Sequence, residues 1–142
     1  MLLVIDANVV ISSLIKDGTT LKVFKYNAQR TAYEFIAPAY LFSELNRKRI
    51  QRFSSLTTKE IDETFTLISD QIQMITFTMF SDKLKEDMDL NFKDSPYLAL
   101  AMTYNCPIFS GDKGLKKQKK VSVFSPRELL DKITNEEYVL NI

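Results

Sequence analysis

Leu2-Leu3-Val4-Ile5-Asp6-Ala7-Asn8-Val9-Val10-Ile11 is the stretch on which the reading of the whole chain turns. Four uninterrupted apolar residues form a short buried strand, because a strand covered on both faces has no polar side to show and does not alternate. The run stops at Asp6, and Val9, Val10, Ile11 and Leu14 then suggest a helix, closed by the breaker pair Asp17-Gly18. Strand, acid, helix is how a parallel sheet with helical crossovers begins.

The alternation continues outward from there. Thr20 is expected to cap a second helix through about Arg30, and Phe35-Ile36-Ala37 to form a second strand. Pro38 opens a third helix, to about Lys48, at the first-turn position that proline tolerates. Thr57 and Glu60 stand at capping-box spacing before a helix through about Gln73, along which Ile61, Phe65 and Ile68 share a face. Further strands are expected at residues 74–77, 107–109 and 121–123, and helices at 81–88, from Ser95-Pro96 through Tyr104, and from Ser125-Pro126 through Ile133. The expected fold class is α/β, a parallel sheet with helices on both faces. At 142 residues with no linker, the chain 1–142 reads as a single domain.

Composition narrows the chemistry. There is no histidine, which excludes Ser-His-Asp triads, Cys-His pairs and histidine-ligated zinc. A hydrolase built from this chain must use carboxylates and a hard, oxygen-preferring metal. Gly18, Gly111 and Gly114, the three glycines, make neither a phosphate-binding loop nor a dinucleotide fingerprint. Cys106 stands alone and suits a reducing interior. The opening apolar run is too short for a signal peptide, and no later stretch approaches a membrane span, so the expected location is the cytoplasm. With 19 basic and 18 acidic residues, any nucleic-acid surface must come from local clustering.

In a parallel sheet, function gathers at the carboxyl ends of the strands and the amino ends of the returning helices. Asp6 follows the first strand, Asp112 lies three residues past Phe109, Asp94 starts the 95–104 helix, and Glu44 shares a helix side with Leu41 and Leu45. Four acids from four segments thus converge on one rim. Taken singly, Asp6 and Asp112 also read as turn residues, Asp94 as a helix cap, and Glu44 as a solvated acid. Together they repel, and a fold holds such a cluster cheaply only with a cation. A dehalogenase-type phosphatase would need an aspartate where Asn8 stands, and a receiver domain would need adjacent acids after the first strand.

The segments V-I-D-A-N-V at 4–9, S-E-L at 43–45, K-D-S-P-Y-L-A-L-A at 93–101 and F-S-G-D-K at 109–113 resemble, in order, the four acidic motifs of the PIN-domain family. The opening and the D-x-x-Y-L-A-L-A helix resemble especially the stand-alone, VapC-like PIN proteins of toxin–antitoxin pairs. That resemblance covers residues 1 to about 125 and implies a three-layer α/β/α fold with strand order 3-2-1-4-5. It also implies a Mg²⁺- or Mn²⁺-dependent endoribonuclease holding one or two ions, with Asp6, Glu44, Asp94 and Asp112 as metal-binding and catalytic acids. An antitoxin protein and a homodimer are the implied partners beside the RNA substrate. The chain departs from the family pattern at Gly114, where many relatives carry a further acid, and before Asp94, where the common D-P-x-D form is missing. Hence the alternative expectation is a PIN-like RNA- or protein-binding module with a weakened site.

Asn8 and Ser110 are candidate donors that orient the carboxylates, with a helix-entry cap and a turn residue as their plainer readings. Two basic clusters flank the acids: Arg47, Lys48, Arg49 and Arg52, and Lys113, Lys116, Lys117, Lys119 and Lys120. Beside a nuclease site such runs serve as RNA contacts, most directly Lys113, Lys116, Lys117, Arg47 and Arg49. Tyr40, Phe42 and Tyr97 fit either base stacking or core packing.

Overall fold

In a computed structural model of the chain, the described residues are 1–76, 79 and 95–140, with residues 95 and 136–140 described in backbone only. The elements run β1 (Leu2–Ile5), α1 (Ala7–Ile15), α2 (Thr19–Arg30), β2 (Glu34–Pro38), a 3₁₀ helix (Ala39–Glu44), α3 (Arg47–Phe53), α4 (Thr58–Ser69) and β3 (Ile72–Ile75). They continue with α5 (Ser95–Tyr104), β4 (Ile108–Phe109), α6 (Lys113–Lys117), β5 (Val123–Phe124) and α7 (Pro126–Leu140). The expected helix at 81–88 lies outside the described residues, as does Phe77 at the end of the expected third strand.

The five strands form one parallel sheet in the order β3-β2-β1-β4-β5. Register places Leu3 beside Phe35 and Ile5 beside Phe109, so these side chains share one face of the sheet. Phe24 of α2 packs on that face, its ring centroid 5.3 Å from Phe35 and 5.8 Å from Phe109. Helix α5 packs across β1, β2 and β4, completing the three-layer α/β/α arrangement. Leu3, Val4, Ile5, Ala37, Ile108 and Phe109 are all buried, which is why β1 is apolar at consecutive positions rather than at alternate ones.

Several boundaries differ from those read in the sequence, each for a local reason. The helix expected from Pro38 to Lys48 is two pieces. Asn46 caps a new helix by accepting the Arg49 N–H at 3.1 Å, so the chain breaks after Glu44 and re-enters at Arg47. The capping box of Thr57 and Glu60 is present, but α4 stops at Ser69 instead of Gln73. There the Gln71 side-chain amide donates to the Leu67 carbonyl at 3.1 Å, satisfying a last-turn acceptor and freeing the chain for β3 two residues early. Likewise Gln118 wraps the 118–121 turn, accepting the Lys120 and Val121 N–H groups, which moves β5 from 121–123 to Val123–Phe124.

Gly18, not Thr20, is the residue that caps α2. At the far end, Ser125 and Glu128 exchange side-chain-to-backbone bonds of 3.1 and 3.2 Å, and the last helix runs past Ile133 to Leu140. The side chains of the apolar tail Tyr138, Val139, Leu140, Asn141 and Ile142 lie outside the described set. Among the described residues, no helix is long and apolar enough to cross a membrane.

Candidate active site

The strand order reverses between β1 and β4: the chain passes from β1 to β2 and β3 on one side, then returns to β4 on the other. Such a switch point opens a crevice at the carboxyl ends of the two strands. Asp6 stands there as the N-cap of α1, its Oδ1 accepting the Asn8 backbone N–H at 3.4 Å. Because Ile5 pairs with Phe109, the next residues, Asp6 and Ser110, come side by side, and the Ser110 hydroxyl donates to Asp6 Oδ2 at 2.8 Å. The same hydroxyl accepts the Asp112 N–H at 3.0 Å. Asp112 is itself the N-cap of α6, accepting the Gly114 N–H at 2.8 Å. One serine therefore ties the acid after β1 to the acid after β4.

Glu44 arrives by a different route, at the end of the 3₁₀ helix that follows β2. The hydroxyl of Tyr97 on α5 donates to Glu44 Oε1 at 2.9 Å, and the Tyr97 ring lies 5.9 Å from that of Tyr40. Glu44 was expected to point partly inward along an α-helix; the break at Asn46 leaves it exposed, with only its tyrosine-bound end anchored.

Electrostatics sets Asp6 apart. It is only 2% exposed, and burial holds its carboxyl above the usual carboxylate range, opposed by the Ser110 and Asn8 hydrogen bonds and reinforced by the charges of Asp112 and Glu44. Burial likewise pushes the Tyr97 and Tyr40 hydroxyls up, with the neighbouring Glu44 charge adding to both. Among the described residues, no lysine or arginine forms an ion pair with Asp6, Glu44 or Asp112. Nor do three acidic groups among them stand close enough to make a ready cation cage. The three carboxylates share one field without forming a closed set of ligands. Asp94 and Asp89 lie outside the described residues.

Other expected site residues are placed less simply. Asn8 meets Asp6 through its backbone, while its exposed side chain lines the clefts on either side of it. Tyr97 is 1% exposed, so it positions Glu44 and cannot stack a base; nothing in the sequence marked that role, since its partner is 53 residues away. Phe42 packs edge-on against Phe65, at 5.4 Å. Of the basic residues, Arg47 pairs with Asp62 at 3.7 Å and covers the Phe65 ring, and Lys116 is bound to Glu128. Lys113, Lys117 and Arg49 are exposed, with Lys113 and Arg49 lining clefts that also contain Asp112 and Glu44, respectively.

No curated protein matches the chain. A crystal structure of VapBC2 from Rickettsia felis, bound to a DNA fragment from their promoter, contains a chain of similar fold at a TM-score of 0.57 and 9% identity. The superposition covers 88% of this chain and 98% of that one. The family model for the PIN domain matches residues 4–123, from the first strand to the last, and the chain belongs to the PIN-domain family.

Proposed function

We propose that this protein is a Mg²⁺- or Mn²⁺-dependent endoribonuclease and the toxin of a toxin–antitoxin pair, with Asp6, Glu44, Asp94 and Asp112 as its working acids. The observation that carries the reading is the Asp6 carboxylate, buried at the switch point of the sheet and facing two further carboxylates, with no cationic side chain among the described residues paired to any of the three. Burying such a charge is expensive unless something positive is meant to sit beside it. Membership of the PIN-domain family, whose members are generally nucleases, supports the same conclusion.

The donor set suits a hard divalent cation, since every donor is an oxygen and there is no histidine or accessible thiolate to favour a softer ion. Asp6 and Asp112 would hold it directly, and Glu44 directly or through water, as Mg²⁺ keeps several waters. When bound, such an ion supplies positive charge to activate water and to neutralise the phosphate in the transition state. The chain's own groups do the rest. Ser110 fixes Asp6 and Asp112 relative to each other. Tyr97 fixes one oxygen of Glu44 and leaves the residue open to solvent, where it can accept the proton of the attacking water.

An antitoxin partner, a homodimer and a cytoplasmic setting belong to this reading. The similar solved structure is of VapBC2 bound to a DNA fragment from their promoter, and a small DNA-binding protein encoded beside this gene would support an antitoxin partner here. Gly114 favours a second reading, a PIN-like RNA- or protein-binding module. A Cβ at position 114 would meet Asp112 Oδ1 at 3.2 Å, so the chain has a tight cap where many relatives have another acid. Two measurements decide between them. The nuclease cleaves single-stranded RNA with Mn²⁺ or Mg²⁺ and stops when the metal is chelated; full cleavage in excess chelator overturns the mechanism. A binding module shows no specific Mn²⁺ site on titration.

A further inference from the structure

Between α1 and α3 runs a groove of about 440 Å³ whose walls are two helical stripes. One stripe is Asn8, Ile11 and Ile15 of α1; the other is Arg49, Ile50 and Phe53 of α3. Asn8, Ile11 and Ile15 recur at three- and four-residue spacing, and Phe53 lies four residues after Arg49 and three after Ile50, so the two stripes look at each other across the groove. Glu44 lies in the lining, so the groove opens onto the carboxylate site.

Phe53 is 61% exposed, the most exposed large apolar side chain among the described residues. Its position is fixed: the Ser54 hydroxyl donates to the Leu14 and Ile15 carbonyls at 2.7 and 3.1 Å, and the Ser55 N–H donates to Ile15 at 2.8 Å. The end of α3 is thereby pinned to the end of α1, which sets where Phe53 leaves the backbone at the rim of the groove. The rim is also strongly basic. Arg52 lies over the Phe53 ring at 5.8 Å, and Arg49 faces the groove, while Arg47 is already engaged by Asp62. On the other side of Asn8 a second cleft, of about 590 Å³, is lined by Ser12, Thr20, Asp112 and Lys113 together with Val9 and Pro126.

We propose that the α1–α3 groove is a nucleobase subsite: one base of single-stranded RNA lies against Phe53 and the isoleucine stripe, Arg49 takes an adjoining phosphate, and the next phosphodiester reaches the carboxylates. This rests on the ribonuclease reading and deepens it. An apolar floor with a cationic rim suits a base joined to a phosphate, because aromatic side chains stack any base and guanidinium groups neutralise the backbone. The second cleft, with Lys113 in its wall, then receives the chain beyond the cleaved bond. Aromatic stacking makes the subsite tolerant of sequence, so it sets where the strand lies more than which base it carries.

The test uses an Asp112→Asn background, which removes turnover, and a labelled RNA of about eight nucleotides, within the strand lengths that single-strand-binding surfaces cover. Phe53→Ala should weaken binding about 5- to 150-fold, the range that loss of one stacked base produces, and Phe53→Tyr should restore it. A single abasic position, moved along the strand, should reproduce that loss at one place only, and should cost nothing further in Phe53→Ala. Melting temperature should be unchanged by Phe53→Ala, since the ring is mostly in solvent. Undiminished RNA binding by a folded Phe53→Ala protein overturns the subsite. The unaltered chain separates the two failures. If it cleaves RNA with metal while the groove variant binds normally, only the subsite falls; if it neither binds nor cleaves RNA, both readings fall.

Discussion

At the amino ends of β2 and β3, the buried Asn27 side chain accepts the Tyr33 N–H at 2.7 Å and donates to the Tyr33 carbonyl and the Gln71 side chain at 3.0 and 2.9 Å. At the carboxyl ends of β1 and β4, the buried Asp6 receives two hydrogen bonds and still faces the charges of two other acids. Both are polar residues at the rim of the same sheet, and both are nearly inaccessible to water. One is neutral and reciprocally satisfied, so its burial stabilises the fold. The other is held where its charge is disfavoured, and an added cation or a proton relieves it. The satisfied polar group stands at one end of the sheet, and the unrelieved charge at the other.

The comparison is broken most severely by Asp6→Asn. Cleavage should fall more than about 100-fold, beyond the 10- to 100-fold typical of losing a group that merely supports a metal ligand. Without metal, the variant should be as stable as the parent or more so, on the order of 1 kcal/mol, because asparagine still caps α1 while one repelling charge is gone. Chemical denaturation without metal checks this, and a large loss of stability would make Asp6 a structural cap like any other. Saturating Mn²⁺, at about 100 times its dissociation constant, should raise the parent's stability by about 2.7 kcal/mol and the variant's far less. Asn27→Ala should behave in the opposite sense. Stranding the Tyr33 N–H and carbonyl costs about 1–3 kcal/mol per unsatisfied group, while turnover per folded molecule stays unchanged.

A pH series sharpens the same contrast. Asp6 has a folded-state pKa above its ordinary value of 3.8, so the folded protein binds the proton more tightly than the unfolded chain. Ionisation of Asp6 therefore opposes folding above its raised pKa, and that cost disappears as pH falls toward 3.8. The stability advantage of metal-free Asp6→Asn should be full at neutral pH and shrink through that window. Taking the difference between the two proteins cancels the opposite trend from Glu128, whose carboxyl Lys116 and Ser125 hold below the usual range. An advantage that is flat with pH would remove burial of charge as its cause.

The sequence and the structure part company in a way that follows from range. Features set by neighbours were readable: the fully apolar β1, the Thr57–Glu60 box, the Ser125 cap and the acid that ends the first strand. The order of the strands came from likeness to a family, since parallel pairing leaves no local trace. The apolar spacing puts Glu44 on an α-helix, whereas it ends a 3₁₀ helix, because Asn46 as a cap competes with that spacing and wins. Tyr97 was read as core or stacking, and its hydrogen bond to Glu44 depends on α5 crossing the end of β2, which no window of sequence contains. Ser110 was legible as a donor from its place two residues before Asp112, but its bridging of two acids needed the register of β1 against β4.

The smallest effect belongs to the lysines after Asp112, which the sequence presents as one cluster and the structure divides. Lys116 is bound to Glu128, and Glu128 also closes the cap of α7, so the ammonium is already neutralised where it stands. Lys113 and Lys117 are exposed, with no ion pair among the described residues, and Lys113 lines the cleft beside Asp112. Ammonium groups attract phosphate without reading bases, so these two should act on all RNA sequences alike. Each phosphate they neutralise should contribute roughly 0.7 to the log–log salt slope for a single strand. Lys117→Gln and Lys113→Gln should each flatten that slope by up to this amount in an Asp112→Asn background, whereas Lys116→Gln should leave it nearly unchanged. Equal flattening by all three would mean that the Lys116–Glu128 pair opens for RNA; no flattening by any would leave the cluster as a solvated face and put the backbone path along Arg49 and Arg52.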